Sequence, residues 1–263
     1  MFSKDSRYIL RNNQLADVIC QFRFPEILII GANPPAEFQE EIRAEFPIYK
    51  AIQENHPPRI AGAPGDLHIE YAQPTVNYQF STPDNHYRIN LTNNFISLTC
   101  SKYTCWEDFA QMLDKPLAAF IKIYKPAHFS RVGLRYLNFI SRNRLNLENT
   151  PFKELFAPEY LGILSFEDLD EQCIDSCAVD TQVQLRGGCT LKLHAGPGRV
   201  RINNIPQDEI HFIFDQDVAM NGVVPINIST AALHILHSHA YSIFRDALKD
   251  TLWEAMGPEP IRR

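Results

Sequence analysis

The sequence predicts an α+β fold built from one plan used twice. Three observations carry this. Short segments of alternating apolar and polar residues, the mark of half-buried strands, follow one another across closely spaced turn signals. Two long stretches with apolar residues three and four apart, the mark of a helix face, each close such a series. The order strand, helix, four strands, long helix runs from about Val18 to Tyr124 and again from about Phe129 to Met256. Direct identity between the halves is faint, so the duplicated β-α-β-β-β-β-α plan rests on element order. It divides the chain into a first repeat, 1–126, and a second, 127–263, joined in one compact unit.

In the first repeat, VICQFRF sets Val18, Cys20, Phe22 and Phe24 on one side and Ile19, Gln21 and Arg23 on the other. Pro34-Pro35 suits the first turn of a helix, and Phe38, Ile42 and Phe46 follow four apart, which predicts a helix broken near Pro47. Pro57 to Asp66 is rich in Pro and Gly and reads as a loop. LHIEYA, VNYQFST, YRINLT and FISLTCS then read as four strands of an antiparallel meander, separated by Gln73-Pro74, Pro83-Asp84-Asn85 and Asn93-Asn94. Next comes a helix with Phe109, Leu113, Leu117, Phe120 and Tyr124 on its buried stripe. Thr104 and Glu107 have capping-box spacing, Pro116 predicts a kink, and Pro126 follows the end.

The second repeat opens on the strand HFSRVGLRYLNFI and a short helix in ENTPFKELFAPEY. CAVDTQVQL, CTLKLHA, RVRIN and EIHFIFDQD read as four strands, with hairpin turns at Gly187-Gly188 and Gly196-Pro197-Gly198. Ser229 to Met256 reads as the longest helix. Leu233, Leu236, Ala240, Ile243, Phe244, Ala247 and Thr251 mark its face, Ser229 or Thr230 its cap, and Gly257-Pro258 its stop.

Composition bounds the partners. The 263 residues are 45% hydrophobic and 21% charged, which is ordinary for a globular protein. No apolar run approaches membrane-spanning length, and MFSKDSRYIL lacks the apolar core of a signal peptide, so the expectation is a cytoplasmic protein with no membrane contact. The net charge of −6 opposes phosphate binding, although a local basic patch would not be visible in the total. The six cysteines, at 20, 100, 105, 173, 177 and 189, form no CxxC pair and read as reduced thiols.

The order of elements resembles the TATA-binding-protein fold. There, two such repeats form one saddle-shaped antiparallel sheet, with helices on the convex face and the concave face open. The resemblance is topological, spans nearly the whole chain and brings no functional residue with it. In sequence, RVGLRYLNFI, HFIFDQDVAM and AALHILHSHAYSIFRDALKDTLWEAM are similar to a sporadically distributed, functionally uncharacterised prokaryotic family of about this length. The marks are Gly133-Leu134-Arg135-Tyr136 with Asn138, Asp215-x-Asp217, and the helix carrying His237 and Phe244. Its patchy distribution implies mobile or accessory gene clusters, of the kind that hold antitoxin, immunity and defence proteins.

Strand parity predicts the open face. In the strand after Phe129, Val132, Leu134, Tyr136 and Ile140 share the side toward the helices, while Arg131, Arg135, Leu137 and Phe139 share the other. Asp180, Gln182, Gln184 and Arg186 oppose Val179, Val183 and Leu185. If the sheet closes as in the TATA-binding fold, Arg23, Arg131 and Arg135 gather near its centre. With Asn138, Gln182, Gln184 and Arg186 they form the candidate partner-binding set. An antiparallel sheet often has one wet face, which is the plainer reading. Arginine beside Gln, Tyr, Leu and Phe favours a protein-docking surface.

Other candidate chemistry is thin. His234 and His237 are neighbours on a helix, but His239 points away and no HExxH is present, so a helix rim with partly buried imidazoles outweighs a metal cluster. Asp215 and Asp217 share a strand face. They are weak candidates for magnesium or calcium, and pairing with Arg131 or Arg135 across the sheet is the favoured alternative. Cys173 and Cys177 have no paired base in sequence, and no helix N-terminus follows the glycine pairs.

No catalytic residue and no cofactor is therefore expected. The leading expectation is a non-enzymatic binding protein that engages a partner protein through its open sheet face or a sheet edge. A nucleic-acid binder using the concave arginines, and a metal-dependent hydrolase around Asp215 and Asp217, are the alternatives; a homodimer is a further option.

Overall fold

A computed structural model describes residues 8–54, 59–61, 68–70, 74–202 and 204–261. In the first half lie β1 (Tyr8–Leu10), β2 (Leu15–Arg23), α1 (Leu28–Ala32), α2 (Ala36–Ile42), β3 (Ile48–Glu54), β4 (Arg59–Ala61), β5 (His68–Glu70), β6 (Thr75–Ser81), β7 (Tyr87–Leu91), β8 (Phe95–Cys100) and α3 (Trp106–Tyr124). In the second lie β9 (Phe129–Ile140), α4 (Phe152–Leu155), β10 (Val179–Gln184), β11 (Cys189–Ile202), β12 (Ile205–Val224), α5 (Ser229–Ala247), α6 (Asp250–Ala255) and β13 (Pro258–Pro260). Among the described residues, nine strands form one antiparallel sheet in the order β10-β11-β12-β9-β2-β8-β7-β6-β3. The fold is α+β, and its sheet runs unbroken from one half of the chain to the other.

The two opening strands, β2 and β9, lie side by side at the centre, with Cys20 opposite Leu134 and Gln21 opposite Gly133. Their period-two alternation decides which side is buried. Val18, Cys20 and Phe22 on β2, and Val132, Leu134 and Tyr136 on β9, are buried beneath the helices. α5 lies over β9 and β12. α3 lies over β2, where Phe24 packs on Phe120 at 4.7 Å, and over β7 and β8. Phe22, Phe38, Phe80, Phe109, Phe120 and Phe129 are all fully buried, each contributing about 1.5–3 kcal/mol of transfer free energy.

Several elements depart from the sequence reading. The stretch after Pro47, where the spacing predicts the far side of a broken helix, is the edge strand β3 paired with β6. Residues 49–53 are exposed on both sides, so no alternation marks them. The strand read in LHIEYA is instead β5, paired with β4 in a separate hairpin, with Leu67, Tyr71 and Ala72 outside the described residues. Of the loop from Pro57 to Asp66, only Arg59–Ala61 is described, and it is a strand.

CTLKLHA and RVRIN are one continuous strand, β11, and Asn203 lies outside the described residues. Gly196-Pro197-Gly198 is therefore no hairpin but strand, with Pro197 opposite Phe212. β10 stops at Val179, opposite Ala195, so β11 is an edge from Gly196 onward and admits proline. A side chain on Gly196 would put its Cβ 2.5 Å from the Cys177 carbonyl oxygen, so glycine here admits close backbone approach. Gly187 and Gly188 do turn the chain between β10 and β11, at φ of 74° and 72°.

The last helix breaks. Leu248 is extended and bridges Phe156, the Lys249 amide donates to the Leu155 carbonyl, and α6 begins at Asp250. Thr251 is consequently exposed rather than part of the α5 face. The caps differ too. Neither long helix carries a side-chain N-cap, and Thr104 donates to Asp108 at 2.6 Å instead of closing a box with Glu107.

Candidate functional site

On the side of the sheet away from α3 and α5, residues opposite one another across the strands make mostly polar rows. One row runs Gln182, Lys192, Asp217, Arg135, Ile19, Thr99 and Arg88. The next runs Gln184, Thr190, Ala219, Gly133, Gln21, Ser97, Asn90 and Gln79. Beyond it Arg23 faces Arg131, which faces Asn221. A hollow of about 460 Å³ opens over the central strands, with Gln21, Arg131, Arg135, Lys192, Asp217 and Asn221 among its walls.

Its centre is a diagonal ladder of ion pairs. Arg131 Nη2 donates to both oxygens of Asp217, at 2.6 and 2.7 Å. Arg135 donates from Nε and Nη2 to the two oxygens of Asp215, at 2.7 and 2.5 Å. The second pair is a two-pronged contact that matches the planar guanidinium to the carboxylate. Neither arginine meets the residue directly across from it. Arg131 would face Asn221 and Arg135 would face Asp217, yet each leans along the strand to a carboxylate further on. Gly133 permits the first lean: a Cβ there would sit 2.2 Å from Arg131 Nη1.

Gln21 ties in a third arginine. Its Oε1 accepts from Arg23 Nε at 2.9 Å and from Arg131 Nη1 at 3.3 Å. Arg23, Arg131 and Arg135 therefore do gather at the centre. Arg23 and Lys192, both exposed, have no carboxylate partner among the described residues. The hydrogen bonds to Asp215 hold the Arg135 guanidinium above its ordinary pKa. Asp17, near Arg88 and Arg135, is pushed above the ordinary carboxylate value by burial, with the two arginines opposing.

The remaining sequence candidates are scattered. Gln182 and Gln184 lie on the same face, at the sheet edge. Arg186 sits in the turn beyond β10, its carbonyl against His239 Nε2 at 3.1 Å, three strands away from Arg135. Asn138 belongs to the opposite face. It is 2% exposed, shares the parity of Tyr136, and donates to the Phe214 carbonyl at 3.3 Å. Strand periodicity alone separates it from Arg131 and Arg135.

Asp215 and Asp217 are engaged by guanidinium groups, and among the described residues no group of three His, Cys, Asp or Glu is placed to hold a metal ion. The histidines of α5 diverge. His237 is buried, stacks on Trp106 at 4.4 Å and pairs through Nδ1 with the Tyr136 hydroxyl at 2.8 Å. His234 meets the edge of Trp106, and His239 meets β10's turn. Burial raises the thiols of Cys20, Cys100 and Cys189, which keeps them protonated and poorly nucleophilic.

No protein-family model matches the chain, and no curated protein sequence does. Among the described residues, no helix is long and apolar enough to cross a membrane.

Proposed function

We propose that the chain is a binding protein that docks a partner protein on the open face of its sheet, over the hollow between β2, β9 and β12. The observation that carries this reading is the ion-paired floor. Arg131 and Arg135 are committed to Asp217 and Asp215, so the centre is a fixed surface of both signs rather than a cationic groove. What it leaves for a partner is two exposed cations, Arg23 and Lys192, among amides and hydroxyls. Such a surface suits a protein segment presenting carboxylates and backbone polar groups. Two unpaired cations in the hollow, with Arg88 and Lys50 set apart on β7 and β3, do not make a continuous phosphate track.

The two halves act in this reading as repeats of one plan. Each sets one long strand at the centre and ends on a long helix over the covered face, but four sheet strands lie outward of β2 and three outward of β9, because CTLKLHA and RVRIN are one strand rather than the two expected. The hollow then lies where the repeats meet, a position at which each contributes one wall.

Size-exclusion chromatography of the chain from its native cells, followed by titration with the purified co-eluting protein, tests the proposal. Lys192→Glu and Arg23→Glu should each weaken the complex about tenfold while thermal unfolding stays unchanged, as expected for exposed charges at an interface rim. Unaltered affinity in both variants would contradict it.

A further inference from the structure

We infer that the covered side of the sheet holds a second, separate site: an aromatic cavity that takes a small planar ligand carrying one hydrogen-bond donor. The cavity, of about 100 Å³, lies between the start of α3 and the middle of α5, above β9 and β12. Its walls carry the rings of Tyr103, Trp106, Tyr136, Tyr241, Phe244 and Trp253, with the amides of Gln14, Asn138 and Gln216 among them. The N-terminal strand closes it, with Tyr8 edge-on to Trp253 at 5.5 Å.

Two kinds of observation point to a ligand. The first is rigidity. Trp106 and His237 are stacked with an interplanar angle of 7°, His237 is fixed to Tyr136, and Tyr103 stands at 90° to Tyr136. The rings hold one another in place around the space. The second is an orphan. Gln216 on β12 lines the cavity and is 2% exposed, yet its Oε1 has no hydrogen-bond partner among the described residues. A buried carbonyl left without a hydrogen bond is destabilising, and a ligand donor would relieve it. A polar side chain on the buried face of a central strand, where Leu193 and Tyr136 are its neighbours across the ladder, is otherwise unfavourable.

Flat aromatic walls beside the unpaired Gln216 carbonyl fit a one- or two-ring molecule whose N–H or O–H reaches Gln216 Oε1. A mostly apolar pocket with few fixed polar groups is the general form of a small-molecule site. Cavities of comparable size lined by apolar side chains accept single aromatic rings.

Calorimetric titration of the full chain with indole, and with indene as the same shape lacking the N–H, tests the inference. The wild type should bind indole saturably and indene about tenfold more weakly, the penalty for leaving a built acceptor unpaired. Gln216→Met should bind both compounds with affinities within about twofold of one another. Ala240→Leu, filling the cavity from α5, should bind neither. No saturable indole binding by the wild type near millimolar concentration would overturn the inference, as would equal affinity for the two compounds. A Gln216→Met chain that melts higher than the wild type, alongside a wild type that binds neither compound, would make the amide a purely structural misfit and overturn it equally.

Discussion

Arg131 reaches Asp217 by lying across Gly133. The two residues are not opposite each other in the ladder, and the guanidinium occupies the space a side chain at position 133 would take. Arg131 and Asp217 are 19% and 29% exposed, so the pair is largely shielded and worth more than a surface bridge. Gly133→Ala should push the flexible end of Arg131 away and cost about 1–2 kcal/mol of unfolding free energy. In an Arg131→Ala background the same change should cost far less, because the clash is gone. Urea denaturation of the four chains of this cycle measures the coupling; additive losses would show that glycine is there for another reason.

Pairing on the open face also fixes what it does not bind. Asp215→Asn with Asp217→Asn releases both guanidinium groups and adds two units of positive charge to a site already holding Arg23 and Lys192. The double variant should be retained on a heparin column to higher salt than the wild type, whose elution stays early. Equal retention would mean that the carboxylates do not mask the arginines.

Asp17 supplies a pH-dependent term. Burial raises its folded pKa above the ordinary 3.8, so ionisation destabilises the fold. The penalty is fully present above the raised pKa, shrinks as pH falls through it, and is gone once pH is below 3.8, where the carboxyl is neutral in both states. Asp17→Asn should therefore raise the melting temperature at pH 7, with the gain fading toward pH 3.5. A gain that persists unchanged in acid would point to packing instead.

Phe156 anchors the break between α5 and α6 to the sheet. Its ring stacks on Phe212 of β12 at 3.9 Å, and its backbone bridges Leu248. Phe156→Ala should cost about 3–5 kcal/mol in equilibrium unfolding, the usual loss for a fully buried phenylalanine. A loss below about 1 kcal/mol would mean that the α4–α6 region is not part of the cooperative unit.

The parts of this fold that were legible in the sequence are those whose surroundings are one-sided. β2 and β9 lie between a helix layer and an open face, so alternation named their buried residues, and parity put Asp215 and Asp217 with the arginines that hold them. β3 is exposed on both sides and left no such trace. Gly196-Pro197-Gly198 reads locally as a turn, but backbone approach from Cys177 and the lack of a β10 partner keep it extended. The break at Leu248 depends on Phe156, some ninety residues earlier, and no local signal announces it. Gln216 was missed although the same parity places it: lying between Asp215 and Asp217, it falls on the covered side with Phe214 and Val218, beneath α5.

Site-specific photo-crosslinking in the native cells addresses the docking surface most directly. A benzophenone side chain placed at Asn221, on the rim of the hollow, should capture one protein partner, and the capture should fail when Lys192→Glu and Arg23→Glu are added. The same probe at Asp114, exposed on α3, should capture nothing. Capture from Asp114 with none from Asn221 would place the partner on the helices and contradict the open face as the interface.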